Sequence, residues 1–330
     1  MREITNVLST INYWDRHWDA IEAELKKAGA RQITHVPMDD RAAISAALAD
    51  ADVALLNGDM DDQIRNEGKM LRWVHCNHAG ANLSARPEIF ERGILLSCSA
   101  GRSGPVLAEH TFYLLLSLIY ASRIVEEQQR GHVWKTIYDD MRGLYGKTMG
   151  IIGLGYTGKE VARRAKAFDM EVLAYDRAFA AAPADVDRWF SADAGDSVDA
   201  LLGESDVVVL SCRLSDETYH LINRSKFAIM KGSALLVNIS RGSVVDEEDL
   251  VEALKNKAIA GAASDVFERE PLPASSELWD LPNFVMTPHC TPEMPDMPGN
   301  CVGIIKENIQ RYIAGETLLN QQTARDVYTK

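Results

Sequence analysis

The chain has no long apolar run, no excess of positive charge and no paired cysteine spacing, and each absence removes a class of function. Leu114 to Tyr120 is the apolar stretch that stands out, and it is far shorter than the roughly 20 residues a membrane helix needs. The opening residues, MREITNVLST, are acidic and polar early and lack the apolar core of a signal peptide. Five cysteines (Cys76, Cys98, Cys212, Cys290 and Cys301) are scattered, odd in number and without a C-x-x-C. That excludes a disulfide framework and a zinc ribbon and suits a reducing compartment, so a cytoplasmic protein is expected. Lys and Arg number 35 against 48 Asp and Glu, a net charge of -13. Nucleic acid and anionic membranes are therefore poor partners, and an anionic substrate must be drawn by local cations.

What is present is alternation. At 330 residues the chain suits about two domains. Helical and β-rich segments follow one another from the start: a helix over 14–28 closed by Gly29, then strands at 53–56, 71–76 and 94–97. Gly101-Arg102-Ser103-Gly104-Pro105 breaks the pattern and reads as a crossing between domains. A long helix follows, with Val106, Leu107, His110, Leu114, Leu118 and Ile119 near one face. It is apolar beyond one buried stripe, which points to a second subunit. Strands then recur at 148–152, 171–175, 206–210, 234–238, 258–263 and 284–287. The alternation predicts an α/β fold of two doubly wound parallel-sheet domains. Prolines 288, 292, 295 and 298 mark a second crossing, and a helix over 302–314 returns to the first domain. The expected domains are 1–102 plus 296–330 for substrate, and 103–295 for a dinucleotide.

The dinucleotide assignment rests on Gly153-Leu154-Gly155-Tyr156-Thr157-Gly158, set between a strand and a helix. That is the context in which G-x-G-x-x-G has a mechanism. Gly153 allows the tight turn, Gly155 lets backbone approach a pyrophosphate, and Gly158 lets the helix pack close. The helix N-terminus offers free N–H groups to phosphate. The next strand ends in Asp176, eighteen residues after Gly158 (176 − 158). An acid there accepts from the ribose hydroxyls of NAD and repels the 2′-phosphate of NADP, whereas Arg177 next to it suits a phosphate. An ordinary βαβ unit with a solvated Asp176 is the alternative.

Three later strands end in polar groups. Arg241, beside Gly242, reads either as a fork for a carboxylate or as a surface arginine capping the helix near Asp246. Asp265, Glu268 and Glu270 follow the next strand, and Thr287-Pro288-His289 follows the last. An arginine, a carboxylate and a histidine on successive strand ends form a candidate carboxylate-binding and proton-transfer set. Other histidines and thiols carry less. His75 and Cys76 fall on opposite faces of a strand, with no second ligand cluster beside His78, so no metal is expected. His110 reads as a core histidine with a hydrogen-bond partner, and Cys290 as a small packing residue. Trp134 and Tyr138 read equally as packing residues or as a wall of another subunit's site.

Four stretches together resemble the D-isomer-specific 2-hydroxyacid dehydrogenase family: G-K-T-M-G-I-I-G-L-G-Y-T-G, L-L-V-N-I-S-R-G-S-V-V-D-E-E-D-L, D-V-F-E-R-E-P-L-P and L-P-N-F-V-M-T-P-H. The helix opening at Leu107–Thr111 and the loop at Gly80 are also similar. The resemblance implies an NAD-dependent enzyme, a homodimer, interconverting a small 2-oxo acid and its D-2-hydroxy acid. Arg241 would hold the carboxylate and polarise the carbonyl, His289 would be the acid/base, and Glu270 would orient it. Asp265 would lie near the nicotinamide carboxamide. The glycine loop, with Tyr156 and Thr157, Asp176 and Cys212 would line the cofactor, and Asn57, Ala79, Gly80 and Ala81 the substrate. Glu270 favours this over formate dehydrogenases, where glutamine is expected; phosphite oxidation shares the same three residues. An NAD(H)-sensing, corepressor-like binding protein also keeps the Arg–Glu–His set.

The chain departs from the family in places. Tyr156 replaces a common arginine, Cys98 a usual asparagine, and Cys212-Arg213-Leu214 lacks the usual proline on the adenine side. After His289, Cys290-Thr291-Pro292-Glu293-Met294 replaces a small-residue turn beside the pocket. Asn57 stands where phosphoglycerate-type members often carry arginine, which argues against a phosphorylated substrate. The particular acid is not written in these motifs.

Overall fold

A computed structural model describes residues 2–137, 143–179, 181, 184–290 and 294–330. It divides into two compact units, Met1–Arg102 with Met294–Lys330, and Ser103–Glu293. The first holds five strands: β1 (Asn6–Ser9), β2 (Gln32–His35), β3 (Val53–Leu56), β4 (Trp73–Cys76) and β5 (Leu95–Cys98). Their order is β2-β1-β3-β4-β5, and every pair is parallel. β3 and β4 are buried at every position, as strands covered on both faces must be.

One of those faces is covered by helices from opposite ends of the chain. The helix Arg16–Lys27 starts where the Asp15 carboxylate accepts the His17 N–H, an ordinary N-cap bond. Its Trp18, Ile21 and Leu25 share one stripe and pack on Val53, Leu55 and Trp73. The helix Met297–Ala314 adds Ile305, Ile309 and Tyr312 to the same core, with Tyr312 stacked on Trp73 at 5.2 Å. Each such side chain contributes about 1.5–3 kcal/mol when fully buried. That helix begins five residues before the expected 302, because Pro298 falls in its first turn, where a missing N–H costs nothing.

The second unit carries β6 (Thr148–Ile152), β7 (Glu171–Asp176), β8 (Arg188–Ser191), β9 (Val207–Leu210), β10 (Leu235–Asn238), β11 (Gly261–Ser264) and β12 (Phe284–Met286). Their order is β12-β11-β10-β9-β6-β7-β8, again parallel throughout. The α/β doubly wound class is thus as expected. Chain order reverses between β6 and β9, and the crevice outside the carboxyl ends at such a reversal is where these sheets bind ligands.

Some elements differ from expectation. β1, β2 and β8 were not anticipated; β2 and β8 are partly exposed edge strands without an apolar run. The strand expected over 258–263 is Gly261–Ser264. In the helix Gly104–Ile119, Ala108, His110, Thr111, Phe112, Leu114, Leu115 and Ile119 are buried, while Val106, Leu107 and Leu118 are only half-buried. Its stripe is rotated because the helix packs on both the sheet and the helix Tyr156–Ala167. No helix among the described residues is long and apolar enough to cross a membrane.

His75 lies fully buried in β4, its Nδ1 3.0 Å from Ser97 Oγ and its Nε2 3.0 Å from Ser99 Oγ. Burial, with a smaller push from His78, drives its pKa down to about 3. The unfolded chain takes up this proton near the ordinary histidine value of about 6.5. Between those two values the unfolded state binds more protons, so stability is lost as pH falls through that window, by up to about 1.4 kcal/mol per pH unit. Urea unfolding at pH 7 and pH 5 should show a drop in stability that is smaller in His75→Gln. Equal drops in the two proteins would refute the assignment.

Candidate active site

The glycine loop leaves β6 at Ile152, and each glycine has a separate steric reason. Gly153 has φ 92°, and a Cβ there would lie 2.5 Å from the Cys212 backbone. A Cβ on Gly158 would lie 2.2 Å from the Gly153 carbonyl oxygen. A Cβ on Gly155 would meet nothing within 4 Å. Two glycines are therefore required by the protein's own packing, and the third borders open space at the N-cap of the helix Tyr156–Ala167. That is the place where a pyrophosphate meets first-turn N–H groups, including those of Tyr156, Thr157 and Gly158. Tyr156 itself is exposed.

Asp176 ends β7 with each oxygen already accepting one backbone hydrogen, from Leu154 N at 2.7 Å and from Arg177 N at 2.7 Å. A carboxylate has about four acceptor positions, so two remain for ribose hydroxyls. Arg177 donates from Nε to Glu217 at 3.0 Å. Burial, with the Asp176 charge second, pushes the Cys212 thiol up to about 12, so it stays a neutral thiol against the loop. The donor set and the open space fit a dinucleotide.

Arg241, Glu270 and His289 follow three neighbouring strands. Asn238, Ser264 and Met286 stand level at the ends of β10, β11 and β12, and the three functional residues lie just beyond. Gly242 draws two of the loops together: a Cβ there would sit 1.8 Å from the Phe267 carbonyl carbon and 2.3 Å from Glu268 N. Only glycine permits that approach. Asn238 ties the Arg241 loop by donating to the Arg241 carbonyl at 3.0 Å and accepting from Ser240 N at 3.0 Å. Arg241 Nη1 donates to the Ser240 carbonyl at 2.7 Å.

Glu270 Oε1 accepts the Phe267 N–H at 2.9 Å, which leaves Oε2 2.6 Å from His289 Nδ1. An ionised carboxylate only accepts, so Nδ1 carries a hydrogen and Nε2 is the nitrogen left for chemistry. Both side chains are partly exposed, at 43% for His289 and 36% for Glu270. His289 has φ 49°, and its N–H donates to the Asp265 carbonyl at 2.8 Å. Asp265 is buried and accepts from Thr287 Oγ1 at 2.6 Å and Cys290 N at 3.0 Å, both on Oδ1.

In the first unit, Asn57 and the Ala79–Ala81 loop follow β3 and β4. Asn57 is exposed and its Oδ1 accepts the Asn12 N–H at 3.3 Å. Gly80 has φ 79°, and Ala81 is buried entirely, backbone as well as side chain. Asp59 joins Cys76 and His78 with donor atoms within 4.8 Å, a carboxylate that linear spacing did not reveal. Burial raises the Cys76 thiol far above its ordinary range. Tyr138 and Thr291–Glu293 lie outside the described residues. Asn238, Gly242 and Thr287 were not singled out for the roles they hold here. Their signal is a small or amide residue at a strand end, legible only once the neighbouring strand is known.

A doubly wound sheet with its glycine loop at the switch point and polar groups on the strand ends beside it is the frame of a dinucleotide-dependent oxidoreductase. Residues 112–291 match the D-isomer specific 2-hydroxyacid dehydrogenase, NAD binding domain. A glyoxylate reductase of Pyrococcus horikoshii is 36% identical over 84% of this chain and 84% of its own. A D-isomer specific 2-hydroxyacid dehydrogenase family protein from Aeromonas salmonicida has a crystal structure of TM-score 0.76, is 28% identical and covers 98% of this chain and 100% of its own. Another, from Xanthobacter autotrophicus Py2 in complex with NADPH and MES, has TM-score 0.78, is 25% identical and covers 98% of this chain and 99% of its own. The chain belongs to the D-isomer specific 2-hydroxyacid dehydrogenase family, and it is an oxidoreductase of that class.

The loop geometry makes a direct prediction. In Gly158→Ala the new methyl would lie 2.2 Å from Gly153 O, and relief requires the loop to move. NADH titration by fluorescence should show at least about tenfold weaker binding, with a stability loss of about 1–3 kcal/mol. Unchanged affinity would mean that this loop does not hold the cofactor.

Proposed function

We propose that the chain reduces a small 2-oxo acid of the glyoxylate type to its 2-hydroxy acid with NADH, and runs the reverse with the D-2-hydroxy acid. The observation that carries this is the 2.6 Å pair of His289 and Glu270 on the strand ends next to Arg241. The glyoxylate reductase at 36% identity supports the substrate class.

Arg241 takes the substrate carboxylate with its planar fork and polarises the 2-oxo group. Glu270 accepts from Nδ1, fixes the ring, and offsets the positive charge of the ring that is about to donate. Nε2 of His289 passes its proton to the carbonyl oxygen as that oxygen gains charge; in the reverse direction the neutral ring removes the hydroxyl proton. A nicotinamide dinucleotide held by the glycine loop and Asp176 would supply or accept the hydride. Ala79, Gly80 and Asn57 are assigned to the substrate, with Ala81 in the core supporting their loop, and Asp265 to the carboxamide. Asn57, being neutral, disfavours a phosphorylated acid.

Asp176 favours NADH, since a 2′-phosphate would meet its carboxylate, and Arg177 is engaged with Glu217. A homodimer belongs to the same reading, supported by the exposed Tyr113, Tyr120, Ile124 and Val125 on the helices Gly104–Ile119 and Ser122–Arg130 and the turn joining them. The cytoplasm, where free thiols stay reduced, suits the five cysteines.

NADH oxidation should be measured with glyoxylate, hydroxypyruvate, pyruvate and bulky branched 2-oxo acids, with NADPH in parallel. Turnover is expected on the small acids and should fall by about 10²–10⁴ in His289→Ala. NADH binding without turnover on any acid would sink the reading and favour a sensing protein. In Asp176→Ala, NADPH should gain on NADH by roughly tenfold or more; an unchanged ratio would remove Asp176 from cofactor choice.

A further inference from the structure

Next to the His289–Glu270 pair, a largely buried line of polar groups ends on the backbone of His289. We propose that His110, on the helix Gly104–Ile119, is a positioning residue: acting through Thr287 and Asp265, it holds the backbone that aims the His289 ring. The inference rests on the role given to His289 above.

The His110 side chain is 4% exposed, and its Nε2 lies 2.9 Å from Thr287 Oγ1. Thr287 Oγ1 in turn lies 2.6 Å from Asp265 Oδ1, an oxygen that also receives the Cys290 N–H at 3.0 Å. That oxygen accepts, so the threonine hydrogen points to Asp265. A hydroxyl has one hydrogen, so toward His110 its oxygen must accept, and Nε2 must donate. Donation therefore runs from His110 to Thr287 to Asp265.

Asp265 holds the next loop at two points, through Oδ1 on Cys290 N and through its carbonyl on His289 N at 2.8 Å. Between these two grips His289 has φ 49°. A left-handed conformation at a residue other than glycine persists only where its surroundings over-determine it. The grips from Asp265 supply that constraint, and Thr287 and His110 fix Asp265 itself.

His110 Nδ1 is buried and has no hydrogen-bond partner among the described residues. A residue serving only to fill the core would do better without such a nitrogen. What Nε2 does accounts for a histidine there.

Misaiming the His289 ring should affect proton transfer more than binding, because Arg241 holds the substrate carboxylate from another strand end. The experiment compares wild type with His110→Leu, His110→Gln, Thr287→Val and Thr287→Ser in NADH oxidation with glyoxylate. His110→Leu should lower kcat about ten- to hundred-fold, with the glyoxylate KM and NADH Kd within about twofold of wild type. His110→Gln, whose amide can still donate to Thr287, should recover most of kcat. If His110→Leu fails to fold, the same split should appear between Thr287→Val, which loses the relay, and Thr287→Ser, which keeps it. Equal losses in the leucine and glutamine variants, and in the valine and serine variants, would overturn the proposal, as would a rise in KM with kcat unchanged. Wild-type protein without turnover would overturn the reading of the site itself; active wild type with unaffected variants overturns only the role of His110.

Discussion

A parallel sheet covered on both faces leaves an ionisable side chain one good place to go, the strand end. β9, β10 and β11 are buried at every position, and a charge within them would need a partner that the apolar layers do not supply. The carboxyl ends of β10, β11 and β12 are level and adjacent, so whatever follows those strands is brought together by backbone register alone. The contact of Gly242 with the Phe267–Glu268 backbone then closes the remaining gap between two loops. Glu270 takes its place from that closure, since one of its oxygens is held by Phe267 N–H and the other is left for His289. The geometry of the candidate site thus starts from sheet register and one close approach, and side-chain contacts then set the aim of each group.

The cofactor end follows the same rule with a different economy of groups. Asp176 serves the protein first, receiving the Leu154 N–H of the glycine loop and the Arg177 N–H after its own strand. These bonds fix the distance between the loop and the acid before any ligand arrives, the pre-organisation that lets binding cost less conformational freedom. Gly153 and Gly158 meet each other and Cys212, so the loop is packed from inside and presents Gly155 outward.

Much of this was legible in the sequence, for physical reasons. Central strands such as β3 and β6 are runs of apolar residues with the expected limits, because burial on both faces demands such runs. The edge strands β2 and β8 were missed because partial exposure removes that demand. The glycine loop could be read because steric exclusion at Gly153 and Gly158 acts within a few residues of sequence. Gly242 could not be explained the same way, since the backbone it meets lies 25 residues later (267 − 242). His110 was recognised as a core histidine with a partner, but its partner Thr287 is 177 residues distant. Spacing records what a residue must be next to in the chain; function here depends on what it meets across strand ends.

The charge balance bears on the proposed capture of an anionic acid. At -13 the protein repels an anionic 2-oxo acid at long range, but screening confines that repulsion to about 8 Å at physiological ionic strength. Inside that distance the balance is local. His289 faces the Glu270 carboxylate, and Arg241 sits on the neighbouring loop, where its Nη1 donates to the Ser240 carbonyl. In the role proposed for Arg241, capture relies on a short, directional grip on a carboxylate, which a small acid satisfies without needing any attraction from the rest of the surface.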